Sequence, residues 1–92
     1  MTPITFREEA DTDLQSIIDW YQNIAPHMVE RILADIYRSI DLLTRYPRSG
    51  MRVHVRSFRR IVTLKYHFKI AYAIEPDGIA IVGIYRHQDR QK

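Results

Sequence analysis

At 92 residues and 46% hydrophobic, the chain suits one domain over residues 1–92 with a modest core and is too short for two. It has no cysteine, no apolar run near the ~20 residues of a membrane span, and acidic Glu8 and Glu9 too early for a signal peptide; a disulfide framework and a thiolate zinc site are excluded, and a soluble protein of the reducing cytoplasm with no membrane partner is expected. The net charge of +3 conceals halves of opposite sign, since residues 1–44 carry three Arg against eight acids (−5) and residues 45–92 carry eleven Lys and Arg against three acids (+8).

Residues 2–6 read as a short strand in which Ile4 and Phe6 alternate with Thr5. From Glu8 the period lengthens. Ala10, Leu14, Ile17, Ile18, Tyr21 and Ile24 recur at three- and four-residue steps, predicting a helix with one apolar stripe that ends near residue 24. Glu8, Glu9, Asp11 and Asp13 suit the positive end of its dipole, whereas Arg7 is a poor capping residue and leaves the helix start open. A turn over residues 23–27, containing Pro26, leads to a second helix. Its stripe is Val29, Ile32, Leu33, Ile36, Ile40 and Leu43, with Glu30, Arg31, Asp35, Arg38 and Asp41 assigned to the opposite side and Pro47 and Gly50 as the stop. So short a connection makes residues 8–46 an antiparallel helical hairpin.

The pattern then turns to strand. Met51, Val53 and Val55 alternate with Arg52, His54 and Arg56; residues 59–64 form a second candidate; Phe68, Ile70, Tyr72 and Ile74 alternate with His67, Lys69, Ala71 and Ala73. Glu75-Pro76-Asp77-Gly78 is a turn, with proline presetting the first corner. The unbroken apolar run of residues 79–84 reads as a central strand covered on both faces. The expected fold is α+β: an N-terminal strand and a helical hairpin on a largely antiparallel sheet of three to four strands.

Several chemistries find no support. His27, His54, His67 and His87 lack a paired ligand spacing, so no metal or other cofactor is expected. Gly50, Gly78 and Gly83 make no phosphate loop, and Ser16, Ser39, Ser49 and Ser57 lie in no nucleophile elbow. Trp20, Tyr21, Tyr37 and Tyr72 fall at helix or strand spacings and are assigned to the core. What remains is basic. Residues 45–69 hold Arg45, Arg48, Arg52, Arg56, Arg59, Arg60, Lys65 and Lys69 with no acid, a surface suited to an acidic partner, either nucleic acid or polypeptide. If the last three strands are neighbours, Arg59, Arg60, Lys65, Tyr66, His67, Lys69, Tyr85, Arg86, His87 and Arg90 come together. Such a cluster either binds an anionic partner or, with Lys69, Tyr85, His87 and Arg90 as catalytic candidates, performs metal-free ribonuclease chemistry. No residue pattern identifies the general base, which favours binding; a stand-alone nucleic-acid-binding module also fits.

Taken in order, the chain resembles the RelE/ParE superfamily of type II toxins and is most similar to the ParE branch. The resemblance rests on Phe6-x₃-Ala10-x₂-Asp13-Leu14-x₂-Ile17, Leu43-x₃-Pro47-x-Ser49-Gly50, the pair Arg59-Arg60, Tyr66-x-Phe68-Lys69-Ile70-x-Tyr72, and Ile79-x-Ile81-x₂-Ile84-Tyr85-x-His87-x₂-Arg90. It implies a growth-inhibiting toxin neutralised in a hetero-oligomer by a cognate antitoxin, which has an acidic helical segment and a ribbon-helix-helix DNA-binding dimer. ParE-like members poison DNA gyrase and RelE-like members cut messenger RNA on the ribosome. Lys69 and Arg90 match basic positions of the ribonuclease branch, but Gln91 and Lys92 stand where that branch has a terminal Tyr. The resemblance therefore implies gyrase binding, with Arg52, Arg56, Arg59, Arg60, Lys65, Lys69, Arg86, His87 and Arg90 as target or antitoxin contacts.

Overall fold

The computed structural model describes residues 2–52 and 58–86. The elements are β1 (Ile4–Phe6), α1 (Glu8–Ile24), a 3-10 turn (Pro26–Met28), α2 (Val29–Arg45), β2 (Met51–Arg52), β3 (Arg59–Val62), β4 (Lys69–Glu75) and β5 (Gly78–Tyr85). The strands form one sheet in the order β1-β5-β4-β3-β2, antiparallel except for β1, which runs parallel to β5. The N-terminal strand is thus the fifth strand of the sheet itself. Arg7 begins α1 without capping it: its backbone is extended, its N–H donates to Ile81 O at 2.9 Å, and its guanidinium pairs with Glu75.

The helices cover one face of the sheet. Ala10, Leu14 and Ile17 of α1 and Ile32, Ile36, Ile40 and Leu43 of α2 pack with Phe68, Ile70, Tyr72, Ile79, Ile81 and Ile84. The apolar run of β5 has a different cause from coverage on both faces. Ala71 pairs with Gly83 but Tyr72 with Ile81, so Val82 is an extra residue, and this bulge reverses the alternation. Ile79 and Ile81 before it and Ile84 after it all reach the core, while the opposite face carries small residues such as Ala80 and Gly83.

Several assignments from periodicity change. Trp20 and Tyr37 are 47% and 48% exposed, because each lies off the core-facing stripe of its helix; Tyr21 is half-buried and Tyr72 fully buried. Ile24, assigned to the α1 stripe, is exposed. Asp35, assigned to the solvent side of α2, is 3% exposed. Its Oδ1 accepts from Lys65 N–H at 3.1 Å and its Oδ2 from Tyr66 N–H at 2.8 Å. A buried carboxylate is stable when donors surround it.

Candidate functional site

Directly paired residues on neighbouring strands share a face, and the register therefore sorts the basic residues. Tyr72 belongs to the core and pairs with Arg59, which pairs with Arg52. Both arginines thus lie on the helix side, where Arg59 Nη1 donates to Gly50 O at 2.9 Å. Arg59 braces the chain leaving α2. Arg60 pairs with Ala71 and Met51, and Lys69 pairs with Val62 and Tyr85. These residues occupy the sheet face away from the helices. A Cβ at Gly83 would come within 2.5 Å of the Tyr85 hydroxyl, so the tyrosine ring lies across β5 where only glycine leaves room.

The face opposite the helices therefore presents Arg60, Lys69 and Tyr85 together, with the exposed apolar side chains of Met51 and Val62 beside them. Lys65 and Tyr66 sit in the β3–β4 connection held by Asp35, and His67 there has a left-handed backbone, φ 60°. His54, Arg56, His87 and Arg90 lie outside the described residues. The expected single cluster is divided between two faces and a turn, and no group of side chains suited to holding a metal ion occurs among the described residues.

Arg86 belongs to a different feature. Its guanidinium carbon stands 4.5 Å from the centre of the Trp20 ring, a cation–π arrangement. The two residues border a cleft of about 360 Å³ lined also by Asp13, Ser16, Ile17, Ile84 and Tyr85. Asp13 Oδ2 accepts from Ile84 N–H at 3.1 Å, just beyond the part of β5 that β1 covers. Sequence reasoning missed this cleft. The one available signal was Trp20 standing one position off the apolar stripe.

Among the described residues no helix is long and apolar enough to cross a membrane. In comparison with known proteins, the chain superposes on a structure described as the chromosomal ParDE TA system from P. aeruginosa. The TM-score is 0.79 at 21% identity, covering 94% of this chain and 96% of that one. A YoeB-YefM complex from Staphylococcus aureus aligns with a TM-score of 0.49 at 16% identity, covering 95% and 98%. No curated protein matches the sequence. The family model described as the ParE toxin of the type II toxin-antitoxin system, parDE, matches residues 4–91. With that match extending over nearly the whole length, and the fold in agreement, the chain belongs to the ParE toxin family of type II toxin-antitoxin systems.

Proposed function

We propose that the chain inhibits DNA gyrase by binding it rather than by catalysis, acts in the cytoplasm, and is held inactive in a hetero-oligomer by a cognate antitoxin. An acidic helical segment of that antitoxin lies across the basic second half of the chain, and a ribbon-helix-helix dimer forms its other part. Membership of the ParE family supports the toxin reading. The observation that supports binding over cleavage is the sheet face shared by Arg60, Lys69 and Tyr85, which stand on two adjacent cross-strand rows. Two cations and a phenol hold an anionic surface well, and the carboxylate among the described strand positions of that face, Glu75 at the other end of β4, is paired with Arg7. Arg52, Lys65 and Arg86, together with Arg56 and Arg90, extend the positive field that draws such partners in, and His87 adds a polar contact group between Arg86 and Arg90 in sequence.

Purified protein should inhibit supercoiling or trap cleaved DNA while leaving ribosome-bound messenger intact. Codon-specific cuts in a translating extract, abolished by Lys69→Ala, would overturn the reading in favour of a RelE-type ribonuclease.

A further inference from the structure

We infer that the connection between β3 and β4 is a preformed contact tip that inserts Leu64 into an apolar socket, rimmed by carboxylates, on the toxin's folded target protein. The inference rests on the gyrase reading above and names the toxin element involved and the chemistry of the surface that meets it. Its first support is how the tip is built. Thr63 N–H donates to Phe68 O at 2.8 Å and Phe68 N–H donates to the Thr63 hydroxyl, so the two ends of the connection are tied to each other. Between them the Asp35 carboxylate accepts the N–H groups of Lys65 and Tyr66, and His67 takes a left-handed backbone. Asp35 and Thr63 are both buried. The tip is therefore ordered from inside the protein, by two side chains that solvent does not reach, before any partner arrives.

What the tip presents is the second support. Leu64 is 76% exposed, more than any other large apolar side chain among the described residues. Val62, two residues earlier, is exposed as well, and its register partner is Lys69, while Lys65 follows Leu64 directly. No acidic residue occurs between Arg45 and Lys69. Two aliphatic side chains set among cations fit an apolar socket with carboxylates around its rim. The order of the tip selects a folded occupant. A disordered segment moulds itself over a surface and needs no fixed projection, whereas an ordered turn with Leu64, Lys65 and His67 exposed finds its complement in a preformed concavity. Little further entropy is lost when such a turn docks, so the burial of Leu64 goes into affinity.

The test uses the full chain with purified gyrase and relaxed plasmid, and in parallel with the antitoxin encoded by the neighbouring reading frame. The toxin concentration that half-inhibits supercoiling is measured for the parent, Leu64→Ala, Leu64→Asp and Lys65→Glu, with Tm and antitoxin affinity recorded on the same proteins. Leu64→Ala should raise that concentration about tenfold. Leu64→Asp, which sets a like charge against the rim, should raise it about a hundredfold, and Lys65→Glu about tenfold. Tm should stay within about 2 °C, because both side chains are exposed, and antitoxin affinity within about twofold. Hydrogen exchange at the Lys65 and Tyr66 amides should be slow in the free toxin. Undiminished inhibition by Leu64→Asp would overturn the tip as the contact while leaving gyrase as the target. A parent chain without effect on supercoiling would overturn both readings. A loss of antitoxin affinity equal to the loss of inhibition would overturn the assignment of the tip to the target, and fast exchange at both amides would overturn its preformed character.

Discussion

Asp35 on α2 holds Tyr66 by its backbone, Oδ2 accepting the N–H at 2.8 Å, and through the same carboxylate it holds Lys65 at 3.1 Å. The β3–β4 connection is thus fastened to a helix 30 residues earlier in the chain. Thr63, fully buried, completes the junction: its hydroxyl accepts from Phe68 N–H at 2.9 Å and hydrogen-bonds Asp35. Burial alone would raise the Asp35 pKa. The bonds from Thr63, Tyr66 and Lys65, with the Arg38 charge nearby, outweigh it and leave the pKa below the ordinary carboxylate value.

The sign of the pH effect follows from that depression. A carboxylate whose pKa is lower folded than unfolded contributes stability that is fully present above the unfolded value, about 3.9, and is lost as pH falls through the folded value. Asp35→Asn sets an amide against two backbone donors and should cost about 2 kcal/mol at neutral pH, lowering Tm by roughly 10 °C. The variant should also lose stability less steeply than the parent below about pH 4. Thermal melts of both proteins between neutral and acid pH check this.

Tyr72 makes a second junction, where its hydroxyl donates to Pro47 O at 2.7 Å and accepts from Gly50 N–H at 2.9 Å. Tyr72→Phe leaves two backbone groups without this partner and should destabilise by about 1–3 kcal/mol. Gly50→Ala should cost at least as much, because its Cβ would fall 2.6 Å from the Tyr72 hydroxyl and 2.9 Å from Arg60 O. Urea unfolding of the two variants measures both effects. Wild-type stability in Gly50→Ala would show that the turn shifts freely.

Antitoxin association should depend on salt, since residues 45–69 contain no acid to neutralise their eight Lys and Arg. Raising ionic strength from about 0.05 to 0.5 M should weaken binding about tenfold or more. Lys69→Glu combined with Arg60→Glu should weaken it further at low salt. Calorimetric titrations showing the same affinity at low and high salt would contradict the proposed contact.

The C-terminal six residues, His87-Gln88-Asp89-Arg90-Gln91-Lys92, contain no large apolar side chain. Truncation after Arg86 should keep Tm within about 3 °C and preserve antitoxin binding, but abolish growth inhibition. Melting, affinity and toxicity are measured on the same truncated chain. Full toxicity would move the active surface elsewhere, and a collapse in Tm would make the tail structural.

The sequence by itself determined the helices and their order. The 3.6-residue period of Ala10, Leu14 and Ile17 and of Ile32, Ile36, Ile40 and Leu43 is local, and so is the turn at Pro76-Asp77-Gly78, so both are legible from neighbouring residues. The motifs running from Phe6 to Arg90 were also enough to point to the family. Tertiary structure alone decided which charges act together. Arg59 and Arg60 are adjacent in sequence yet fall on opposite faces of the sheet, because side chains alternate along a strand and the register with β4 sets which one faces the helices. A single extra residue at Val82 changes which side of β5 is buried. The roles of Asp13 and Asp35 depend on backbone N–H groups 71 and 30 residues further along the chain, and no local pattern encodes a meeting at that separation.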